Sequence, residues 1–506
     1  MKLRIYNTLT QNIDEFNPQN PPKVTMYSCG PTVYDYQHIG HMRRYVGDDI
    51  LIRILRLNGY EVKHAMNITD VGHLVSDSDE GEDKMEKGAR KFGKSVWDIA
   101  KMFEKQFVDS CQALNIDLPK NLMHATDFIK EQIALIEILE KKGFTYQIED
   151  GIYFDSSKFA KYGKLTGQNL ESLKAGARVE MVKGKKHPTD FALWKFSYPE
   201  VSSQPTPGVS SKRQMEWESP WSSPEGKDKG VGFPGWHIEC STMAMKTLGQ
   251  TLDIHTGGID HIPVHHTNEI AQSEAATGKE FVRFWVHHNF LLVEGAKMSK
   301  SLGNTYTVQD VIDKNFDPMV LRYLYLQTHY RQEMNFTWDS LKAAQTALDK
   351  LREEVKQSPN CHPELDLGSD SGPIKIDRNF QGKQARNNNK KGTIIDVYER
   401  RFIDAVNDDM NMPKALAVVW ELMKSEETTE NKTATIKLFD DVLGLELFTQ
   451  KTVEIPAHVL QLVEKRKKYR AEKNYEKSDE LRDEILGLGF EVLDEESGKT
   501  HIKKLH

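Results

Sequence analysis

Two histidines near the start of the chain are spaced so that both could contact one ligand. His38 and His41 lie three residues apart in the run His38-Ile39-Gly40-His41, and on the first turn of a helix they share a face. The free N–H groups and the dipole of a helix N-terminus favour a bound anion. Gly40 has no Cβ, so a phosphate or a ring can approach closely. The spacing alone leaves two interpretations open, a phosphate site and two surface histidines at a helix start.

A pair of lysines much later in the chain offers related chemistry. Lys297 and Lys300 lie three residues apart, after an apolar, strand-like stretch over residues 290–293. Lysines are mobile point charges that suit phosphate groups. A solvated surface loop is the more usual role of a lysine pair, so the pair alone leaves both interpretations open.

Cysteine usage points away from disulfides. The chain has only four cysteines, widely separated: Cys29, Cys111, Cys240 and Cys361. So few thiols in so long a chain do not form a disulfide framework, and a reducing cytoplasm is the expected setting.

Two of these thiols have possible metal-binding partners. His265 and Glu269 are four residues apart and share a face on a helix. Together with Cys29 and Cys240 they would supply two thiolates, an imidazole and a carboxylate, a donor set that suits zinc. His237, three residues before Cys240, is a rival ligand. Buried free thiols remain the alternative on spacing alone.

Length and composition limit the class of protein. The 506 residues allow roughly three to four domains. The formal net charge is −7 and the mean hydropathy is −0.60, a balance typical of a soluble globular chain. There is neither an apolar run long enough to span a membrane nor an N-terminal secretory signal. A protein that only coats nucleic acid would be basic, although a local basic face is compatible with this total.

Around these residues the pattern predicts an α/β nucleotide-binding fold. A β-prone run over residues 24–27 is followed by a glycine-containing turn, by helical spacing over 40–58 and by a second β-prone run over 61–66. Strand, turn, helix and strand is the layout of a Rossmann-type parallel sheet.

Changes in pattern predict five segments, with an insertion dividing the Rossmann-type α/β domain and a helical region following it. They are the first half of the α/β domain (1–141), a connective insertion (142–230), the second half of the α/β domain (231–316), a helical domain (317–453) that contains a breaker-rich insertion (357–393), and a C-terminal module (454–506).

The histidine run followed by Lys297-Met298-Ser299-Lys300-Ser301, in that order, resembles the two signature motifs of class I aminoacyl-tRNA synthetases. The resemblance implies a Rossmann-type catalytic domain that makes an aminoacyl-adenylate from ATP, with Mg²⁺ expected. It implies that the two histidines contact the phosphates and that Lys300 stabilises the pentavalent α-phosphate, assisted by Lys297. The implied ATP-binding residues are His38, Gly40, His41, Lys297, Ser299 and Lys300.

Further motifs resemble the cysteinyl-tRNA synthetases: Tyr27 to Asp35, Asn67 to Asp70, Asp190 to Lys195 and Gly235 to Cys240. The resemblance implies one zinc ion per chain, held by Cys29, Cys240, His265 and Glu269, that binds the substrate thiolate. Zinc would discriminate the cysteine substrate from serine, which a pocket that recognises only shape rejects poorly. The insertion over 142–230 therefore need not be a site that hydrolyses wrongly activated serine.

The same resemblance implies an amino-acid pocket formed by Thr69, Trp236 and Asp260, with core packing as the alternative for Trp236. The chain departs from the family pattern at His73, His261 and Thr267, and the roles of the two histidines stay open.

The resemblance extends to the tRNA-binding end. The helical domain is similar to the anticodon-stem bundle of this family, and the C-terminal module is implied to read the anticodon. The basic helix over residues 465–470 could attract the RNA backbone, or it could be a solvated face. The implied substrates are tRNA(Cys), L-cysteine and ATP, and the implied state is a cytoplasmic monomer.

Two other hypotheses stay open. A related ligase joins activated cysteine to an amino sugar in thiol-cofactor synthesis, and it should need no anticodon module. A non-catalytic paralogue would bind only RNA or zinc, but both ATP motifs are intact.

Overall fold

A computed structural model describes residues 1–71, 84–167, 183–197, 213–222, 230–299, 302–356, 392–449, 456–472, 474–494 and 500–504. The chain divides into two units, Met1–Leu447 and Phe448–His506. His73, Lys300, Ser301 and residues 357–391 of the predicted insertion lie outside the described residues.

The strands of the first unit are short. They are β1 (Arg4–Asn7), β2 (Asn12–Glu15), β3 (Lys23–Ser28), β4 (Glu61–Ile68), β5 (Met123–His124), β6 (Thr145–Ile148), β7 (Gly151–Phe154), β8 (Phe191–Phe196), β9 (Gly232–Pro234), β10 (Leu252–Gly258), β11 (Val282–His288), β12 (Leu291–Val293), β13 (Ala296–Lys297) and β14 (Met334–Phe336).

The helices alternate with these strands and then dominate. They are α1 (Ile39–Leu57), α2 (Lys84–Phe92), α3 (Val96–Ala113), α4 (Ile129–Lys141), α5 (Trp236–Leu248), α6 (Thr267–Thr277), α7 (Val308–Asp313), α8 (Pro318–Leu326), α9 (Trp338–Lys356), α10 (Asp396–Asn407), α11 (Met412–Lys424) and α12 (Thr429–Leu443).

The central sheet has the order β11-β10-β3-β4-β5, and every pairing in it is parallel. The crossover from β3 to β4 runs through α1, which buries an apolar face of isoleucines and leucines. Parallel strands bring their carboxyl ends to one edge, where ligands of such sheets bind. The prediction of a Rossmann-type α/β domain is confirmed.

A second, antiparallel sheet of order β6-β7-β8-β9 is inserted between the halves of the central sheet. Trp194, Phe154 and Trp221 contribute to the core that it shares with α4 and α5. Asp190 fixes the edge of this layer, because one of its oxygens accepts from Tyr146 Oη at 2.7 Å and the other from the Ser156 backbone at 2.9 Å. The described strands of the predicted insertion over 142–230 thus belong to a small β-layer, whose last strand, β9, lies beyond residue 230.

From α9 onward the elements of the first unit are helices in the part of the chain that the structure describes. The rings of Phe402 on α10 and Phe439 on α12 stack with centroids 4.0 Å apart, which fixes the packing of the bundle. The predicted helical bundle is confirmed. None of the described helices combines the length and the apolarity that a membrane crossing requires.

The second unit is a small α+β module, as expected. It contains α13 (Ala457–Ala471), α14 (Tyr475–Gly487) and an antiparallel hairpin of β15 (Phe490–Asp494) and β16 (Thr500–Lys504). Val459, Val463 and Ile485 form its core together with side chains of β15. On the basic helix Arg466 is buried, whereas its basic neighbours are exposed.

A buried arginine joins α1 to the helical bundle. Arg322 on α8 has no solvent exposure, and its Nη2 donates to Asp49 Oδ2 of α1 at 2.6 Å. Its remaining N–H groups donate to the carbonyls of Leu443 at 2.8 Å and Leu114 at 2.9 Å. Arg53 shares the same carboxylate oxygen at 2.7 Å. The guanidinium therefore connects α1, the end of α3 and the end of α12 through polar groups of buried residues.

Substitution of Arg322 should destabilise the first unit strongly. We expect Arg322→Ala to cost about 3–5 kcal/mol in the free energy of unfolding, because Asp49 and two carbonyls lose a buried partner. Denaturant unfolding followed by tryptophan fluorescence measures this. Arg56→Ala is the control, since its ion pair with Asp117 is exposed and should contribute under about 1 kcal/mol. Equal losses in the two variants would contradict the argument.

Candidate active site

Four metal-ligating side chains meet at the carboxyl edge of the central sheet. Cys29 follows β3, Cys240 lies on α5, His265 ends a π-helical turn over Ile262–His266, and Glu269 lies on α6. One ligand atom from each lies within 4.8 Å of the other three, and all four side chains are buried. Local π-helical geometry is frequent at functional sites. The structure thus brings together the four residues that the sequence analysis named as metal ligands.

The electrostatics of this cluster keep its two thiols neutral unless a cation binds beside them. Burial raises the pKa of the Cys29 thiol, and a hydrogen bond with Cys29 together with burial raises that of Cys240 well above its ordinary value. Burial opposes the charge of His265, but Glu269 outweighs it and raises the His265 pKa to about 10. Despite its own burial, Glu269 has its pKa lowered to about 2 by His255 and His265. Two thiolates at this place need more positive charge than one imidazolium supplies.

Two further histidines, which the sequence analysis missed, form an overlapping donor set. Cys29, His255, His266 and Glu269 also offer ligand atoms within 4.8 Å of one another. His266 Nε2 lies 3.3 Å from Cys29 Sγ, and its Nδ1 lies 2.7 Å from His287 Nε2. Both sets share Cys29 and Glu269, and they differ in the other two ligands, which are Cys240 and His265 in one set and His255 and His266 in the other.

The rival ligand His237 belongs to neither donor set among the described residues. Its Nδ1 lies 3.0 Å from Nδ1 of His265, so it contacts a member of the cluster. His261, whose role the sequence left open, packs with its ring centroid 5.3 Å from that of His265. Burial lowers the pKa of His261 to about 3, so its ring is neutral at pH 7.

The three residues expected to form the amino-acid pocket differ in their burial and in their contacts. The Trp236 ring is half-buried and lies 4.3 Å from the His265 ring, centroid to centroid. Thr69 is buried and donates from Oγ1 to Glu239 Oε2 at 3.1 Å. The side chain of Asp260 is 58% exposed at the rim.

Glu239 is a residue that the sequence analysis did not identify, although it is adjacent to Cys240. It is fully buried, and burial raises its pKa well above the ordinary value.

His38 and His41 cap the start of α1 reciprocally. His38 Nδ1 accepts from the His41 backbone at 3.3 Å, and His41 Nδ1 accepts from the His38 backbone at 3.3 Å. The two rings stack with centroids 3.5 Å apart. Because each Nδ1 accepts, each neutral ring carries its proton on Nε2, where it can donate to an anion.

The lysine loop touches this helix start. A Cβ built on Gly40 would lie 2.3 Å from Met298 Cε, so the glycine permits the contact. Lys297 ends the hairpin of β12 and β13, with Nζ 5.4 Å from the centroid of the Phe290 ring. Ser299 is held by its backbone N–H, which donates to Asn304 Oδ1 at 2.8 Å.

The histidine cap and the cysteine cluster are joined by one side chain of α1. Arg44 follows the histidine motif, donates from Nη2 to the carbonyl of Cys29 and lies 3.2 Å from Asp48 through Nη1. The histidine cap and the thiol-rich cluster therefore lie at the same edge of one parallel sheet.

Comparison with known proteins identifies this arrangement. Residues 15–346 match the family model of the class I (C) tRNA synthetase catalytic domain, and residues 401–447 match the DALR domain. The fold is similar to Mycobacterium tuberculosis methionyl-tRNA synthetase in complex with methionyl-adenylate, at a TM-score of 0.52 and 15% identity over 84% of this chain and 90% of that one. A LeuRS in a ternary complex from Agrobacterium radiobacter K84 gives a TM-score of 0.55 at 13% identity, over 87% and 86%. The fold and the matching catalytic-domain family are those of a class I aminoacyl-tRNA synthetase.

Full-length relatives narrow the class to one family. A cysteine–tRNA ligase of Treponema denticola is 42% identical over 518 aligned residues, which cover 100% of both chains. A second, from Burkholderia lata, is 44% identical over 502 residues, which cover 99% of this chain and 96% of that one. The chain belongs to the cysteine–tRNA ligase family of class I synthetases.

The tautomer and pKa of His38 can be measured directly. Burial lowers the pKa of His38 to about 4, so we expect a neutral Nε2–H ring down to about pH 5 in ¹⁵N-histidine NMR spectra. Since the folded pKa is below the unfolded value of about 6.5, this group reduces stability as the pH falls between those values. The His38→Gln variant identifies the His38 resonance, because that signal is missing from its spectrum. A titration midpoint near 6.5 would contradict the expected burial.

Proposed function

We propose that the protein activates L-cysteine with ATP and then transfers the cysteinyl group to the 3′-terminal adenosine of tRNA(Cys). The observation that carries this proposal is the buried cluster of Cys29, Cys240, His265 and Glu269 beside the histidine cap of α1. Support comes from full-length similarity to cysteine–tRNA ligases.

In the first step a carboxylate oxygen of cysteine bonds to the α-phosphorus of ATP. The bond from that phosphorus to the bridging oxygen breaks, and pyrophosphate leaves with the electron pair, accompanied by Mg²⁺. No protein nucleophile is needed, so positioning and electrostatics supply the catalysis. His38 and His41 donate from Nε2 to phosphate oxygens, Gly40 leaves space for ATP, and Ser299 shapes the loop. Lys300 stabilises the pentavalent α-phosphate and Lys297 assists it.

The metal proposed for the cluster is zinc, one ion per chain. Cys29, Cys240, His265 and Glu269 would hold it, and the donor chemistry fits, because soft thiolates with one imidazole and one carboxylate favour Zn²⁺ over Mg²⁺ or Ca²⁺. Bound zinc supplies a Lewis acid that favours a thiolate over a neutral hydroxyl. The site would then select cysteine by its sulfur atom. This selection compensates for the poor rejection of serine by a pocket that recognises only shape.

The remaining pocket residues orient the amino acid. Trp236 contributes an aromatic wall next to His265, and Thr69 contributes a hydroxyl fixed by Glu239. Asp260 is exposed at the rim, where a carboxylate can attract the substrate ammonium.

tRNA would bind along the helical part of the chain. The bundle of α10 to α12 contacts the anticodon stem, and the second unit reads unstacked anticodon bases. The exposed basic residues Lys465, Lys467, Lys468 and Arg470 attract the phosphate backbone. The five segment boundaries predicted from the sequence, a monomeric state and a cytoplasmic location belong to this proposal.

The rival acceptor is an amino sugar, and the anticodon-binding parts argue against it. The DALR match over residues 401–447 and the α+β second unit have no use in a ligase that modifies a sugar. Purified protein should attach labelled cysteine to tRNA and leave the amino sugar unmodified. If only the sugar were labelled, the proposed attachment of cysteine to tRNA would be wrong and the amino-sugar ligase would be the better assignment.

The cysteine cluster can be tested through its metal content. We expect Cys240→Ser to lose zinc and to weaken cysteine binding together, because a hard hydroxyl replaces a thiolate ligand. Atomic absorption and cysteine-dependent ATP–pyrophosphate exchange measure the two effects. Cys111→Ser, on α3 and outside the cluster, should keep one zinc per chain. Retention of zinc by Cys240→Ser would contradict the ligand assignment.

Lys300 is tested by separating chemistry from binding. Lys300→Ala should lower kcat for ATP–pyrophosphate exchange by about 100-fold, because a charge aimed at the transition state is lost, while cysteine affinity stays unchanged. Equilibrium binding of labelled cysteine measures that affinity. Lys314→Ala, on the exposed surface, is the control. Unchanged exchange by Lys300→Ala would refute its role.

A further inference from the structure

Arg43 on α1 is a buried cation that forms no salt bridge in the described part of the chain, although the carboxylate of Glu333 favours its charge electrostatically. Arg43 is 5% exposed and lies two residues after His41. None of the ion pairs among the described residues includes it. Burial lowers its pKa to about 10, so it remains a cation at neutral pH. A buried, unpaired guanidinium is costly unless its N–H groups are satisfied.

Backbone carbonyls satisfy this guanidinium. Nη1 donates to the carbonyls of Asn289 at 3.0 Å and Phe290 at 2.7 Å. Nη2 donates to those of His329 at 3.2 Å and Gln332 at 2.7 Å. Hydrogen bonds from a charged donor are the stronger kind, so four of them hold two loops tightly.

These two loops lead into the sheet that carries the lysine loop. Residues 289–290 precede β12, residues 329–332 precede β14, and the two strands pair in parallel. The loops also bond to each other, since Asn289 N donates to Tyr330 O at 2.9 Å and Met334 N to Phe290 O at 3.1 Å. Arg43 therefore fixes the starting points of both strands relative to α1.

One of the four acceptors is directly connected to a lysine. The carbonyl of Phe290 accepts from Arg43, and the ring of the same residue lies 5.4 Å from Lys297 Nζ. A cation at this distance from an aromatic centroid is attracted to the ring. Leu292, two residues beyond Phe290, pairs with Lys297 in the hairpin of β12 and β13.

The far end of the lysine loop is tied to the same helix. Ile39 N donates to Tyr306 O at 2.8 Å, and Tyr325 Oη donates to Ile39 O at 2.7 Å. The helix that presents the two histidines therefore holds the chain before the lysine loop through Arg43 and after it through Ile39.

We propose that Arg43 is a positioning residue for ATP activation, which sets the place of Lys297 relative to the histidine cap by clamping the carbonyls of Asn289, Phe290, His329 and Gln332. This rests on the catalytic role proposed for Lys297. An arginine is required because its planar fork presents five N–H donors, enough for four acceptors on two loops. A lysine offers three donors at one point and can serve one loop well.

The test compares Arg43→Gln, Arg43→Lys and the control Arg56→Gln, an exposed arginine of the same helix. In ATP–pyrophosphate exchange we expect Arg43→Gln to lower kcat by about 10- to 100-fold, the cost of a displacement of about 1 Å near the chemistry. The KM for cysteine and the zinc content should not change, and Arg43→Lys should recover part of kcat. The Arg56→Gln variant should behave as the unmodified protein.

A merely structural role would give another pattern. If Arg43→Gln lowered kcat, cysteine affinity and zinc content together, if kcat stayed within about twofold, or if neither Arg43 variant folded, the proposal would be overturned. A thermal melt of each variant establishes folding.

A double-variant cycle separates this inference from the role of Lys297. If Arg43 acts through Lys297, the combined loss in Arg43→Gln/Lys297→Ala should be clearly smaller than the product of the two single losses. Multiplicative losses would overturn the inference and leave the lysine role intact. Normal exchange by Lys297→Ala alone would instead refute the proposed role of that lysine, and with it the basis of the inference.

Discussion

The structure depends on the burial of two thiols, an imidazole and a carboxylate at one edge of a parallel sheet. Such a cluster is unfavourable in an apolar interior, because burial opposes every charge that would make the thiols useful. The four side chains nevertheless come from separate elements, so the fold is arranged to hold them within 4.8 Å of one another. The zinc ion proposed for this cluster would resolve the conflict, because it would stabilise the thiolates, and it would also give the site a preference for sulfur.

Helix α1 relates this cluster to the rest of the site. Its first turn presents two stacked imidazoles, Arg44 reaches the carbonyl of Cys29, and Arg43 reaches the loops before β12 and β14. Further along, Asp49 binds the buried Arg322 of the helical bundle. One helix thus relates the histidine cap, the cysteine cluster, the lysine loop and the bundle, and the catalysis by positioning that we propose would require this helix to be rigid.

The sequence predicts those features that local spacing determines. The strand–helix–strand unit is visible in its periodicity, and the pairing of His265 with Glu269 follows from their separation of four residues. Cys29 and Cys240 were joined to that pair by resemblance, because distance along the chain says nothing about contact across a sheet. His255 and His266 were missed for the same reason: strand β10 and the π-helical turn bring them to Cys29 only in the folded chain.

The contacts of Arg43 are even harder to predict from the sequence than those of His255 and His266. Its partners are backbone carbonyls, and a carbonyl is present at every position, so no residue type marks the acceptor loops in the sequence. Residues that position reacting groups can therefore be harder to recognise in a sequence than the reacting groups themselves. In this protein the histidines and lysines are recognisable as motifs, whereas the contact that relates them runs through Phe290, whose backbone binds Arg43 and whose ring faces Lys297. A motif whose two halves lie far apart in the chain needs such a connection, because electrostatic stabilisation of a transition state depends on distances that neither half controls alone.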